Sequence, residues 1–600
     1  MVIGPLHMLR VMSIALTLFA LLPGAANAGA DMKKVLRISM NDITSLDPQQ
    51  GTDLYSTRVT TAIFEAMYEF EYLSTGSKVI PNTAEAMPAI TDDGRTWTMR
   101  VKKGILFADD PVFKGKPREL VAADYVYSIK RSLDPNLRQG GDAALTDLIV
   151  GARPVVDAAR KPNAKFDYDA RIEGLQATDR YTVVMRLAQP DYTLLERLAG
   201  LPSMAVAREA IEAAGADVMS KPVGTGPYRL KEWRRASRVV LEANPNYRTV
   251  RFPENADAPQ QELVRNMRGK TLPQIGRIEI SIIEESQPEI LAFTQGDLDF
   301  IALGGDDTKR VMQNGRLRPD LEKRGIRHVR FGSPSVTFTY FNMEDPAVGG
   351  YSTQQIALRR AIGMGFDVDE LIRVLFAGNA LPANQLLPPG VSGHDPSLPA
   401  KSIYDPAGAR ALLDRFGFKD RDGDGYRETP DGKPLTIVRG STPDAAARAT
   451  DELWKRCMDA IGIRMVDLKQ KWPELNKMSE AGQLMMWGLA WITAIPDADT
   501  FFSTLYSRNV GTSNDARFRL PEYDRLFEAA RKLPDSPERT ALYRRMTDLI
   551  LGYAPWLLQG YSYGNVLAQP WVRGYRQHPF LRAQFRYYDV ERTPGTGAGR

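Results

Sequence analysis

Hydrophobic and polar positions along this chain change period several times, and each change marks an expected element. Val35-Leu36-Arg37-Ile38-Ser39-Met40 alternates apolar and polar side chains, the mark of a strand with one buried face. Residues 96–101 and 278–283 alternate in the same way, the first just after an Asp93-Gly94 pair that suits a hairpin turn. Elsewhere the period is helical. Ala122, Tyr125, Val126, Ile129 and Leu133 share one face, and so do Leu542, Met546, Leu549 and Ile550 after Ser536-Pro537. Asp405-Pro406 predicts a capped helix with Ala409, Leu412, Leu413 and Phe416 inward, ending at Gly417. Asp367 and Glu370 have the spacing of a capping box for a helix to Phe376. Thr442-Pro443 predicts a helix through Leu453 and Cys457 to Gly462, before a strand at 463–468. Residues 57–68 read as a helix, and 327–341, rich in β formers, as one strand crossing between domains.

One stretch stands apart. From Leu484 to Pro496 there is no charge, which predicts a buried strand containing Trp487 and Trp491. It breaks at Pro496 into an acidic loop, Asp497-Ala498-Asp499, followed by a helix-like apolar segment from Phe501 to Tyr506. Ligands of open α/β sheets bind at the carboxyl ends of strands. Aromatic rings beside carboxylates suit an organic cation or a peptide amine.

The chain has 600 residues, too many for one core, so two or more domains are expected. A net charge of +5 without a long Lys/Arg run is too weak for a nucleic-acid partner. Residues 1–28 have the plan of a secretory signal: Arg10, an apolar run over 11–22, a Pro23-Gly24 break and an Ala26-Asn27-Ala28 cleavage site. That run is short of the ~20 apolar residues a bilayer span needs. With no cysteine near the cleavage site the mature chain is expected in a periplasm, not lipidated, and with no membrane span. Cys457 is the only cysteine, which excludes an internal disulfide and reads as a buried helix residue. His328, His394 and His578, the histidines of the mature chain, lack metal-ligand spacing. The Gly-rich tail, 593–600, reads as disordered.

Several blocks, in order, resemble the bacterial extracellular solute-binding proteins of family 5, the dipeptide/oligopeptide type. They are Leu46-Asp47-Pro48 leading into a helix; residues 80–85; 92–101; Ala123-Asp124-Tyr125-Val126-Tyr127-Ser128-Ile129-Lys130-Arg131; Val223-Gly224-Thr225-Gly226-Pro227-Tyr228-Arg229-Leu230; 241–247; 290–300; Tyr340-Phe341-Asn342; Gly488-x-Ala490-Trp491 with Asp497-x-Asp499-x-Phe501-Phe502; Ala554-Pro555-Trp556; and Pro570-Trp571-Val572-Arg573-Gly574-Tyr575. The resemblance implies a two-lobe α/β periplasmic binding protein fold with discontinuous lobes, a hinge, and an extra subdomain in the first lobe. The boundaries it suggests are 29–70 and 205–328 for lobe I, 71–204 for the extra subdomain, 329–552 for lobe II, and 553–600 for the return to lobe I and the tail. It implies a monomer that captures a solute in the cleft for an inner-membrane ABC permease, with no cofactor, no metal and no catalytic residue. Trp491, Thr493, Asp497, Asp499, Tyr340, Asn342 and Tyr55 are the expected ligand contacts. The acid that holds the ligand's amine in peptide-binding members falls on Ala494. That leaves Asp497 or Asp499 to replace it, or a cargo without a free amine such as an opine, a glycoconjugate or a metal chelate.

Two motifs point elsewhere. Gly560-Tyr561-Ser562-Tyr563-Gly564 fits a hydrolase nucleophile elbow, but its only downstream histidine, His578, precedes Asp589, the wrong order for that fold. Asp420-x-Asp422-x-Asp424-Gly425 resembles half of a calcium loop, but Asp431 and Pro430 spoil the second half, and a plain turn is expected.

Overall fold

In a computed structural model of the chain, residues 29–592 are described, except 52, 75–77, 92, 138–140, 314–315, 399–402 and 494. The signal segment, Ala494 and the tail from residue 593 lie outside the described residues. One long mixed sheet organises the molecule. Its strands follow the order Arg464–Lys469, Thr436–Ser441, Met486–Ile492, Ser335–Phe341, Trp556–Ala568, Phe300–Leu303, Asp31–Met40, Ile275–Ile282, Arg238–Ala243 and Tyr228–Arg234. Arg327–Gly332 and Ala380–Pro382 also pair with Trp556–Ala568. Asp31–Met40 runs parallel to Ile275–Ile282, and Thr436–Ser441 parallel to Arg464–Lys469, as in α/β layers.

Trp556–Ala568 joins the two halves of this sheet. Its first part pairs with Ser335–Phe341, and its last part with Arg327–Gly332 and Phe300–Leu303. The single crossing strand expected over 327–341 is two strands, interrupted at Ser333-Pro334, where proline has no N–H for the ladder. The chain thus passes between the halves twice, side by side. The segment expected to return to the first lobe from residue 553 pairs first with second-lobe strands.

A separate four-stranded sheet, Ala89–Ile90, Thr96–Arg100, Thr182–Arg186 and Leu175–Ala177, is packed by the helix Ala122–Leu133. Helix ends obey local chemistry. Asp367 caps Val368–Leu375 by accepting from the Glu370 N–H at 2.9 Å, and Asp405 caps Pro406–Arg415. The helix expected from Thr442-Pro443 starts later, capped by Asp444, and covers Ala445–Asp459 with Cys457 buried in the second-lobe core beside Trp454. The helix expected over 57–68 covers only Leu54–Ile63, after which Tyr68–Phe70 is a strand. The chain turns there because Gly224 and Gly226 close over the helix end: the Gly226 N–H donates to the Ile63 carbonyl at 2.8 Å. A Cβ on Gly226 would lie 2.6 Å from that oxygen, and on Gly224 2.1 Å. The sequence suggested glycines for a tight turn; what demands them is this close backbone approach. Among the described residues no helix is long and apolar enough to cross a membrane.

Candidate functional site in the cleft

A cavity of about 590 Å³ lies between the lobes. The second lobe contributes Ile492, Thr493 and Ile495, at the carboxyl end of the apolar strand Met486–Ile492. The first lobe contributes Leu54 and Phe64 around the helix Leu54–Ile63, Tyr68 and Phe70 from the following strand, Glu196–Met204 positions of the inserted subdomain, and Phe580 and Arg582 near the C terminus. Ile492 is 60% exposed, an apolar side chain at the mouth of the cavity.

The charged groups of the cavity separate into paired and unpaired. Asp53 caps the helix Leu54–Ile63, accepting from the Ser56 N–H at 2.7 Å and from Thr44 Oγ1 at 2.7 Å. Burial works against its charge, but these bonds prevail and hold its carboxyl below the usual range. Glu65 accepts from Arg248 Nη1 at 2.7 Å and from Thr225 Oγ1 at 3.0 Å, which ties the Gly-Thr-Gly turn to the cavity floor. Glu69 is held by the Arg586 guanidinium, itself buried. Asp142 caps the helix Ala143–Leu148, and Arg197 donates to Thr193 Oγ1 at 3.3 Å. Glu196 remains: its Oε2 is buried with no hydrogen-bond partner, and burial, helped by the Asp497 and Asp191 charges, pushes the carboxyl up to about 7. Arg582 remains too, half-buried, its guanidinium with no hydrogen bond or ion pair from the described residues.

The residues expected to hold the ligand are dispersed. Thr493 lines the cavity, but its hydroxyl is used within its own turn, donating to the Ile495 carbonyl at 2.7 Å. Asp497 is taken by the protein: Arg539 grips it with two bonds of 2.6 and 2.8 Å, both partners buried. Asp499 opens on a different cavity, of about 370 Å³, where Arg531 Nε lies 3.1 Å from its Oδ1 without hydrogen-bond alignment. Burial raises its carboxyl above the usual range. Trp491 pairs with Val336 across the sheet and is not part of the cavity lining; its Nε1 is buried without a partner.

Tyr340 and Asn342 lie at the end of their strand away from this cavity. Ser335–Phe341 enters the second lobe at the cleft, where Ser335 faces Ile492, and runs outward to Phe341, opposite Met486. Tyr340 is buried there with its hydroxyl 2.7 Å from Ser479 Oγ, and Asn342 donates to the Gly482 carbonyl at 2.9 Å. Tyr55 lines a neighbouring cavity of about 190 Å³ with Arg58 and Tyr575. Glu196 and Arg582 were not legible beforehand, because neither sits in a motif and each matters only through what fails to pair with it.

Ser562 lies within the strand Trp556–Ala568, not on a strand-to-helix elbow, and its Oγ is 2.9 Å from Ser335 Oγ. His578 accepts from the Phe580 and Leu581 N–H groups through Nδ1, and burial pulls it down to about 3. His328 bonds Asn565, and His394 the Leu387 carbonyl. In the 420–428 loop, Asp420 accepts from the N–H groups of Gly423 and Gly425 at 2.7 and 3.0 Å, and Glu428 from that of Arg421 at 2.7 Å. These bonds close the turn, and ligand oxygens of Asp420, Asp422 and Glu428 lie within 4.8 Å of one another, a grouping that could hold a metal ion.

Comparison with known proteins accounts for this architecture. Residues 78–513 match the model of the bacterial extracellular solute-binding proteins, family 5. The chain is 27% identical over 522 residues to Di/tripeptide-binding protein 2 of Pseudomonas aeruginosa, covering 84% of this chain and 86% of that protein. It is 25% identical over 524 residues to Heme-binding protein A of Haemophilus influenzae, covering 86% and 85%. In fold it is similar to the periplasmic binding protein DppA from Helicobacter pylori in complex with the peptide STSA, with a TM-score of 0.67 and 21% identity, over 93% of this chain and 98% of that one. With its family model matched over residues 78–513, the chain belongs to the bacterial extracellular solute-binding proteins of family 5.

Proposed function

We propose that this chain is the substrate-binding component of an ABC importer. Exported to the periplasm, it captures a peptide or peptide-like solute between its lobes as a monomer, closes on it, and presents it to an inner-membrane permease. It does no chemistry on its cargo. The observation that carries this reading is the cavity of about 590 Å³ lined from both lobes at the carboxyl end of Met486–Ile492. That size is in the range of small-ligand sites. Two adjacent crossings leave the lobes free to close by rotation about the Ser333-Pro334 break and the middle of Trp556–Ala568. The di/tripeptide-binding relative supports a peptide cargo.

Within this reading Glu196 takes the solute's amine. Among the described residues it is the carboxyl of the cavity with a buried oxygen that accepts no hydrogen bond, whereas Asp53 and Asp142 cap helices, Asp497 is bound to Arg539 and Asp499 faces elsewhere. A second reading keeps the same site and changes the cargo. The resemblance puts the amine-holding acid of peptide-binding members at Ala494, and the cargo of this second reading is a non-peptide such as an opine, a glycoconjugate or a metal chelate; the haem-binding relative supports a non-peptide cargo.

Mass spectrometry of small molecules released on denaturing the purified mature chain distinguishes the two. A stoichiometric peptide is the expected result. A stoichiometric non-peptide would replace the first reading by the second.

A further inference from the structure

One cation of the cleft cavity is unmatched. Arg248 and Arg586 are committed to Glu65 and Glu69, and Arg197 donates to Thr193. Arg582 lines the same cavity with no partner among the described residues. Burial and the nearby Arg58 guanidinium pull it down to about 10. Arg58 lines the adjoining cavity, and its guanidinium likewise has no hydrogen-bond or ion-pair partner among the described residues.

A guanidinium has five N–H donors in a fixed fork, and leaving them unmet in a half-buried place is costly. A second cation beside it adds repulsion. Two buried arginines elsewhere show the contrast: Arg131 meets Asp47 with two bonds of 2.8 and 2.7 Å, and Arg539 meets Asp497 in the same way. Arg582 departs from that pattern where an incoming ligand would relieve it.

We infer that Arg582 is the subsite for a carboxylate of the solute, its fork taking both oxygens while Arg58 adds positive potential beside it. The inference rests on the reading of the cavity as the solute site, and it narrows the cargo. With Glu196 facing the same space, a zwitterion with free ends fits, and an esterified or neutral solute does not.

The test compares the mature chain with Arg582→Gln and Arg582→Lys by calorimetric titration and thermal unfolding. The probes are tryptone peptides, the same peptides methyl-esterified, and glutarate. Free peptides should bind the wild type about tenfold or more tightly than esterified ones, as loss of a charge-assisted bidentate pair implies. Arg582→Gln should treat the two alike, and Arg582→Lys should restore part of the preference. Without ligand, Arg582→Gln should unfold no earlier than the wild type, because it removes an unpaired, half-buried charge. A structural role would lower its midpoint and overturn the inference.

Equal binding of free and esterified peptides by the wild type would also overturn it while leaving the peptide reading intact. Binding of neither would overturn the peptide reading, and glutarate then decides. A rise in midpoint in the wild type that is absent in Arg582→Gln supports the subsite, and no rise overturns it.

Discussion

Charge pairing separates structural from functional residues at the scale of single side chains. Asp497 and Arg539 are buried together. Removing the acid alone strands a buried guanidinium, so Asp497→Ala should cost roughly 3–5 kcal/mol of stability in denaturant unfolding. Glu196 should behave in the opposite way. Its carboxyl is pushed up to about 7 from an ordinary value near 4.5. Between those values the folded protein binds more protons than the unfolded chain, so stability falls as pH rises through that window. Glu196→Gln should match the wild type below about pH 4.5 and exceed it by about 1–2 kcal/mol above pH 7, discounting the formal shift because the side chain is only half-buried. Parallel pH–stability curves for the two proteins would refute this. The same variant should weaken an amine-bearing ligand by roughly 1–3 kcal/mol in calorimetry, whereas Asp499→Ala should leave that affinity unchanged.

Elements were more legible in the sequence than contacts, and for physical reasons. Period-2 alternation and capping residues depend on neighbours along the chain, so the strand through residues 35–40 and the helix Pro406–Arg415 could be read directly. The end of the helix Leu54–Ile63 could not. It is set by Gly224 and Gly226, far away in sequence, pressing backbone against the Ile63 carbonyl. Gly226→Ala should therefore destabilise the protein by roughly 1–3 kcal/mol, through overpacking rather than lost conformational freedom. A midpoint equal to the wild type in chemical denaturation would mean the turn can move aside. The direction of Ser335–Phe341 was likewise hidden. Its apolar pattern reads the same in either direction, and only the pairing of Ser335 with Ile492 puts Tyr340 and Asn342 at the far end. Asp497 and Asp499 do follow the strand end, although both are buried and Asp499 already opens the helix Asp499–Phe502 expected only from Phe501. That Arg539, more than forty positions on, would neutralise one of them has no local signal.

For the molecule as a whole, the long sheet and its shared strand Trp556–Ala568 make closure of the lobes the natural response to a solute. A loaded chain should scatter X-rays with a smaller radius of gyration than an empty one, and an unchanged radius would argue against closure. The central claim is that the solute lies in the cavity between Thr493 and Phe64. A crystal structure of the mature chain loaded with its co-purified solute tests it most directly. The account predicts the solute in that cavity, with its carboxylate on Arg582 and its amine on Glu196. A solute in the polar cavity beside Asp499 and Arg531, or outside the cleft altogether, would contradict it.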